Sequence, residues 1–295
     1  MLHLIMRRVK KLFTKILVPV NFNRNTAMAM QKAVQVANEF HCDVHVLHVQ
    51  TPLAIMPFLY EGFFSAGIYE SHVKTAAAKL QQLRDIYGKK LNDGLLMTIS
   101  QELGDWQTMM KKTIISEHAD LVLIPKHPKR FFGTLIQKIN INKLIQQTQC
   151  PVLTVTRRFN IHHLQNIVVP VGDTLPIRKL TMATYLARHN NGYVHLMGSS
   201  GKNKKEEKRS NWCVTRAYQL LRDYTQVNIH CSIGADLNGM DDMLAVAKNV
   251  KADLIVVNSG KETQPARWLN RLLGKYVYKE SNIPVLTVAG STNQI

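Results

Sequence analysis

The residues of this chain best suited to chemistry are its 12 histidines, its 4 cysteines and its many lysines and arginines. His41, His45 and His48 stand close enough in sequence to serve as imidazole ligands to a transition metal. The run that contains them reads as a strand, however. Alternate residues of a strand face opposite ways, so His45 and His48 diverge. His162 and His163 are neighbours and diverge likewise where the chain is extended. No metal site is expected from either group. Cys42, Cys150, Cys213 and Cys231 are scattered and form no C-x-x-C pair, which argues against a zinc ribbon or a dithiol redox centre. As isolated residues at strand edges they read as small buried hydrophobes. Asp105, Asp241 and Asp242 fall where helices should begin, and capping accounts for them. The sequence has no G-x-S-x-G, H-E-x-x-H or Walker loop. No catalytic residue is expected.

Charge is the stronger signal. Lys and Arg total 38 against 20 Asp and Glu, a formal net charge of +18. Such an excess favours nucleic acid, phosphates or an anionic surface as partners, and a solvated basic surface is the alternative. Aromatic residues are not interleaved with the basic ones as in single-strand binders. Two basic clusters stand out: Lys126, His127, Lys129, Arg130, Lys138 and Lys143, then Lys261, Arg267, Arg271, Lys275 and Lys279.

These clusters must be positioned by regular elements. Ile16–Val20 is a short apolar run without alternation, as in a strand buried on both faces. Residues 25–40 carry Ala29, Ala33, Val36, Ala37 and Phe40 at helical spacing. Strands are expected at Val44–Val49, Leu95–Gln101, Leu121–Ile124 and Val152–Val155, and helices over 66–91, from Asp105 to His118, and over 131–147. The second half repeats the order with strands at 167–171, 193–197, 227–232, 254–257 and 285–288. Strands alternating with helices imply parallel sheets covered on both faces.

The repetition extends to residue types. Lys15-Ile16-Leu17-Val18-Pro19-Val20 matches Asn166-Ile167-Val168-Val169-Pro170-Val171 at an offset of 151. Ala119-Asp120-Leu121 matches Ala252-Asp253-Leu254, and Cys150-Pro151-Val152-Leu153-Thr154-Val155 matches Ile283-Pro284-Val285-Leu286-Thr287-Val288, both at 133. Val44–Val49 aligns with Tyr193–Gly198 at 149, which places most of the 18-residue difference after the second strand. There the first copy has the apolar, proline-bearing stretch from Thr51 to Phe64, which reads as a loop needing cover. The organisation expected is a basic N-terminal extension (1–14), a first domain (15–156), a linker (157–165) and a second domain (166–290). No apolar run approaches the ~20 residues that span a bilayer, and residues 1–6 precede their charges rather than follow them. A cytoplasmic protein is expected.

The strands Ile16-Leu17-Val18-Pro19-Val20-Asn21 and Pro151-Val152-Leu153-Thr154-Val155, with Ala119-Asp120-Leu121 before the fourth strand, resemble the universal stress protein family, and do so twice in order. The resemblance implies an adenine nucleotide alpha hydrolase-like α/β fold. Each of two tandem domains would have five parallel strands in the order 3-2-1-4-5. Ligands in such sheets sit beyond the carboxyl ends of the strands. A nucleotide or other anion would there meet Pro19, Val20, Asn21, Val49, Lys126, His127, Lys129 and Arg130 in the first copy, and Val171, Gly172, Asp173, Asn258, Ser259, Gly260 and Lys261 in the second.

ATP-binding members of the family carry an Asp after the first strand and the loop G-x2-G-x9-G-[ST] after the fourth. Here Asn21 and Gly172 take the Asp position, with Asp173 one place late. The glycine positions fall on Pro125, Pro128 and Lys138, and on Asn258, Lys261 and Arg271. Proline donates no amide and cannot adopt glycine's φ values. Phe131-Phe132 and Trp268 instead resemble the subclass that does not bind ATP. No cofactor is expected, with ATP as the alternative. The function expected is a non-catalytic stress-response binding module acting through dimerisation and partner binding; the alternative is an ATP-binding switch with slow or no hydrolysis. Two copies in one chain would form the pseudo-dimer internally, setting Val152–Val155 beside Val285–Val288. A homodimer of whole chains is a further arrangement, and the protein partner is open.

Overall fold

The computed structural model describes residues 11–51, 66–126, 139–172, 174–198, 204–233, 240–260 and 282–290. Its strands are β1 (Lys15–Pro19), β2 (Asp43–Gln50), β3 (Met97–Leu103), β4 (Leu121–Pro125), β5 (Val152–Val155), β6 (Asn166–Val171), β7 (Tyr193–Gly198), β8 (Asn228–Ile233), β9 (Leu254–Asn258) and β10 (Val285–Val288). Helices follow as α1 (Thr26–Phe40), α2 (Ala66–Gly88), α3 (Trp106–Ser116), α4 (Ile141–Thr148), α5 (Ile177–His189), α6 (Lys204–Tyr224) and α7 (Met240–Asn249). The apolar stretch from Thr51 to Phe64, apart from Thr51 itself, and residues 131–138 of the helix expected over 131–147 lie outside the described residues.

All ten strands form one sheet, ordered β3-β2-β1-β4-β5-β10-β9-β6-β7-β8. Each half is therefore a parallel 3-2-1-4-5 sheet, and the halves join where β5 and β10 run antiparallel. Leu153 faces Leu286, with Thr154 opposite Val285 and Val152 opposite Thr287. Thr154 Oγ1 also donates to the Val285 carbonyl at 3.2 Å.

Both faces are covered, and each cover runs across the junction. On one face Ile16, Val18, Val44, Val46, Leu153 and Val155 pack under α1 and α2, continuous with Val169, Leu196, Val256 and Leu286 under α5 and α6. On the other, Leu17, Leu47, Val122 and Val152 pack under α3 and α4, continuous with Val168, Met197, Ile255 and Val285. The chain between the halves belongs to the first of these cores. Phe159, Ile161 and Leu164 are buried there, around a short 3-10 turn, Ile161–His163. Glu39 at the end of α1 meets His162 Nδ1 at 2.9 Å and His189 Nδ1 of α5 at 3.5 Å, beside the Phe40–Tyr185 ring contact.

The repeated Ala-Asp dipeptide acquires a physical reason. The Asp120 carboxylate accepts from the backbone N–H of Thr14 (2.7 Å) and of Lys15 (3.1 Å), and from the Thr14 hydroxyl (2.6 Å). Asp253 accepts from the N–H of Gln165 (2.9 Å) and Asn166 (3.0 Å). Each aspartate thus ties the start of its half's first strand to the start of its fourth.

Strand register corrects the alignment of the second strands. Ile16 pairs with Val44, and its counterpart Ile167 pairs with Val194, an offset of 150 and not 149. A slip of one would have reversed every side chain between faces. His45 therefore corresponds to His195. The β3 expected at Leu95–Gln101 is displaced to Met97–Leu103. Asp105 caps α3 as expected, accepting from the Thr108 N–H at 2.9 Å. Cys42, Cys150 and Cys213 are buried, and burial pushes the Cys42 and Cys150 thiols up to about 12. Cys231, on the outer strand β8, is exposed, contrary to the expectation for all four.

His45 shares a face with Leu47, and its ring nitrogens lie 2.8 Å from Thr98 Oγ1 and 2.7 Å from Ser100 Oγ. Burial holds its pKa below the ordinary imidazole value; the nearby Glu117 carboxylate opposes this and Lys15 adds to it. His195 bonds Asn166 Oδ1 at 2.9 Å and stacks on His230, and burial, then His230, lower its pKa too. Among the described residues no three metal-ligating side chains gather, and no helix is long and apolar enough to cross a membrane.

Three outcomes follow. Asp120→Ala should destabilise by about 1–3 kcal/mol and by more than Asp253→Ala, which loses two bonds rather than three; equal losses in urea denaturation would contradict the clamp. Leu286→Ala, at a fully buried junction position, should cost about 2–4 kcal/mol. Both histidines are neutral when folded, so their stabilisation is complete above about pH 6.5 and is lost as pH falls through the lowered native values. The His45→Gln/His195→Gln variant should therefore show a smaller drop in melting temperature than wild type from pH 7 to pH 5, measured by circular dichroism.

Candidate functional site

The strand tips that should receive a ligand are made by ordinary ladder bonds. Pro19 ends β1, and the next residue, Val20, donates its N–H to the Leu47 carbonyl at 2.8 Å. Pro19, Val20 and Val49 are buried, and Asn21 is half-buried. In the second half Val171 is buried, with Gly172, Asn258, Ser259 and Gly260 half-buried. Pro19, Val20, Asn21 and Val49 therefore do gather at the carboxyl tips of β1 and β2, as the strand order requires. Lys126 follows directly on β4, which is the neighbour of β1 in the sheet. His127, Lys129, Arg130, Asp173 and Lys261 lie outside the described residues.

The first half's tip is filled by the chain's own aromatic groups. His48 Nδ1 lies 2.9 Å from the Val20 carbonyl, so a proton on that nitrogen would bind it. Its ring centre stands 4.5 Å from that of Phe22 and 6.3 Å, edge-on, from that of Trp106, the first residue of α3. Phe22 has φ 53°, a left-handed conformation rare for an aromatic residue, which turns the chain immediately after Asn21. These three residues were not among those expected at the site. The signal that could have found them is topological, since Phe22, His48 and Trp106 each fall at the carboxyl end of the sheet.

After β4 the chain is equally committed. Lys126 donates its N–H to the Val155 carbonyl at 2.7 Å, and its counterpart Ser259 donates to Val288 at 2.7 Å. The first backbone amide after the fourth strand is thus held by the sheet in both halves. Pro125 closes β4 and has no amide to offer. Gly260, at φ 103°, is the one loop position here whose conformation demands glycine, and its N–H points across the junction to Asn142 Oδ1 at 3.4 Å. In the second half the fully buried Lys179 of α5 donates its ammonium to the Pro170 carbonyl at the tip of β6. The Val171 carbonyl, counterpart of the one that His48 meets, accepts instead from Ser210 Oγ at 3.3 Å, so the two tips are chemically unlike.

Between the halves lies a second feature, a cavity of about 290 Å³. It is lined by the start of α1, by Lys126, by Thr156, Arg157 and Arg158 just after β5, and by Asn282 just before β10. Of the residues expected at the site, Lys126 alone reaches it among those described.

Comparison with known proteins bears on these findings. Residues 12–156 match the sequence pattern of the Universal stress protein family. No curated protein sequence matches the chain. Among solved structures, a universal stress protein from Archaeoglobus fulgidus DSM 4304 superimposes with a TM-score of 0.67 at 13% identity, covering 93% of this chain and 98% of that one. A functionally unknown protein from Pseudomonas aeruginosa PAO1 superimposes at 0.57 with 15% identity, covering 97% and 94%. At these identities the likeness carries the fold alone, and it carries it across both halves. Residues 12–156 are thus a domain of the universal stress protein family, and the second half repeats its strand order.

Proposed function

We propose that this chain is a non-catalytic binding module of the universal stress type, in which two domains, residues 15–156 and 166–290, form a pseudo-dimer within one polypeptide. The observation that supports this reading best is the antiparallel β5–β10 pairing, with both cores continuous across it. Two free-standing five-stranded sheets would each expose a short apolar edge, and each edge here covers the other.

The state of the strand tips supports a role without nucleotide turnover. A phosphate cradle needs successive free amides and room for the backbone to approach the anion. In this chain Pro125 offers no amide, the Lys126 amide is held by β5, and His48 and Phe22 meet over β1 and β2. His45 does meet the Thr98 and Ser100 hydroxyls, but its ring is 3% exposed within β2 and stands away from the strand tips.

The module would act by presenting the pseudo-dimer's surface to a partner, with its basic side chains favouring an acidic one. Two measurements test this. A fragment spanning residues 12–156 should associate into dimers in light scattering, because its β5 edge is uncovered, whereas the full chain should need no such edge; a fragment that stays monomeric at high concentration would contradict the pairing role. Calorimetric titration of the full chain with ATP and magnesium should show no micromolar site, and micromolar binding would replace this reading with the nucleotide switch.

A further inference from the structure

The cavity between the halves is lined, among the described residues, by three cations, two amide side chains, a threonine and the apolar Met28, and by no carboxylate. Arg157 and Arg158 follow directly on β5, and neither guanidinium makes an ion pair or hydrogen bond among the described residues. Lys126, only 2% exposed, adds a third positive residue to the wall. The side-chain amides of Asn25 and Asn282 likewise carry no hydrogen bond among the described residues.

Helix α1 points its amino end at the same space. Asn25 is its N-cap but makes no capping bond with its side chain, and no acidic residue stands in the first turn. Asn23 takes the N–H groups of Asn25 (2.8 Å) and Thr26 (3.0 Å), and the next amides of the first turn form the positive end of a fifteen-residue helix beside the cavity. Thr156, on the wall and 4% exposed, has a buried hydroxyl without a hydrogen-bond partner. Leaving such a group unmet is unfavourable in a folded protein.

The equivalent place in the other half shows that the fold does not create this set by default. There the N-cap of α5 is Pro176, which has no amide side chain. Ala289 and Gly290 follow β10 where Thr156 and Arg157 follow β5. Arg178, in the first turn of α5, is tied to Gln149, with Nη1 at 3.0 Å from the side-chain oxygen and Nη2 at 3.3 Å from the carbonyl. Gln149 precedes β5 as Asn282 precedes β10, so the arginine of that half closes the gap that the first half keeps open.

We propose that this junction cavity binds a small phosphorylated molecule, one per chain, with Arg157 and Arg158 as the principal phosphate contacts and the start of α1 as the backbone contribution. Arginine suits the role because its planar fork matches two phosphate oxygens at once. The volume, about 290 Å³, fits a compact metabolite rather than a long chain, near the lower end of ligand pockets at roughly 300 Å³. The cavity shares Lys126 with the residues expected at the strand tips, but Pro19, Asn21 and Val49 do not line it. It stands whether or not the proposed pseudo-dimer module engages a protein partner.

Pyrophosphate is the probe, titrated calorimetrically into the full chain at about 150 mM salt, where free surface charges are largely screened. Wild type should bind one equivalent. Arg157→Ala/Arg158→Ala should weaken binding at least tenfold, Arg157→Lys/Arg158→Lys by less, and Thr156→Val a few-fold. Arg216→Ala/Arg222→Ala on α6 removes the same charge elsewhere and should leave binding unchanged. Saturating pyrophosphate should also raise the melting temperature of wild type and of the α6 variant, but not that of Arg157→Ala/Arg158→Ala, which a separate melt confirms as folded. Equal weakening by the two arginine pairs would reduce the effect to net charge and overturn the site. Absence of binding to wild type, or displacement of pyrophosphate by adenosine, would overturn it as well, the latter by assigning the anion to the strand-tip crevice.

Discussion

Everything in this molecule depends on four residues of β5 lying antiparallel to four of β10. A parallel α/β sheet of the 3-2-1-4-5 order ends on its fifth strand, and that strand here is Val-Leu-Thr-Val, too apolar to stand at a free edge. Pairing two such edges satisfies their backbone groups and sets Leu153 against Leu286. The sheet that results has β3 and β8 as its outer strands, and both alternate polar with apolar residues. The connection between the halves then has little freedom. It must leave β5 and start β6 on the far side of β10 and β9, and it crosses the face beneath α1 and α5 with Phe159, Ile161 and Leu164 turned into the core. A segment that reads as a linker is in fact a wedge between two helices.

That wedge explains why the two halves behave as one packing unit. Phe13, Phe40, Leu153, Phe159, Leu254 and Leu286 surround a common apolar space at the centre of the junction. Loss of a large side chain there is felt by both halves, because the cavity it leaves is shared. Charge follows the same logic at the rim, where one carboxylate, Glu39, serves histidines from the connection and from the second half.

Much of this was legible beforehand, for identifiable reasons. The repeated apolar strands and the Ala-Asp dipeptides disclose a duplicated parallel sheet, since strands buried on both faces leave little room for polar variation. The β5–β10 pairing is expected from the family resemblance, since two copies in one chain can form the pair internally. The second-strand offset was missed by one because Val44–Val49 and Tyr193–Gly198 match almost equally well at either register; only the pairing of Ile167 with Val194 decides between them. The exposed Cys231 escaped notice because an isolated cysteine reads as a small buried hydrophobe whichever strand carries it. At the site, Pro125 and Lys126 could be judged from chemistry alone. Phe22 and His48 could not, because their meeting depends on a left-handed residue at the end of β1. The junction cavity was out of reach for a stronger reason. Asn25, Lys126, Arg157 and Asn282 come from four separate stretches of chain, and no spacing rule joins them.

Duplication within one chain has a consequence that a symmetric pair of chains could not have. In a true homodimer any residue at the junction appears twice, so a mutation that opens one pocket opens its mate. Here the counterparts Asn25 and Pro176, Thr156 and Ala289, Arg157 and Gly290 are free to differ, and they do. One end of the junction is closed by Arg178 reaching Gln149. The other keeps its arginines without protein partners among the described residues. A single anion at the open end would bridge the start of α1 in the first half to Asn282 in the second, and so would couple its binding to the mutual position of the halves. Coupling of that kind is reciprocal by linkage: whatever acidic partner favours the ligand's arrangement of the halves is favoured equally by the ligand.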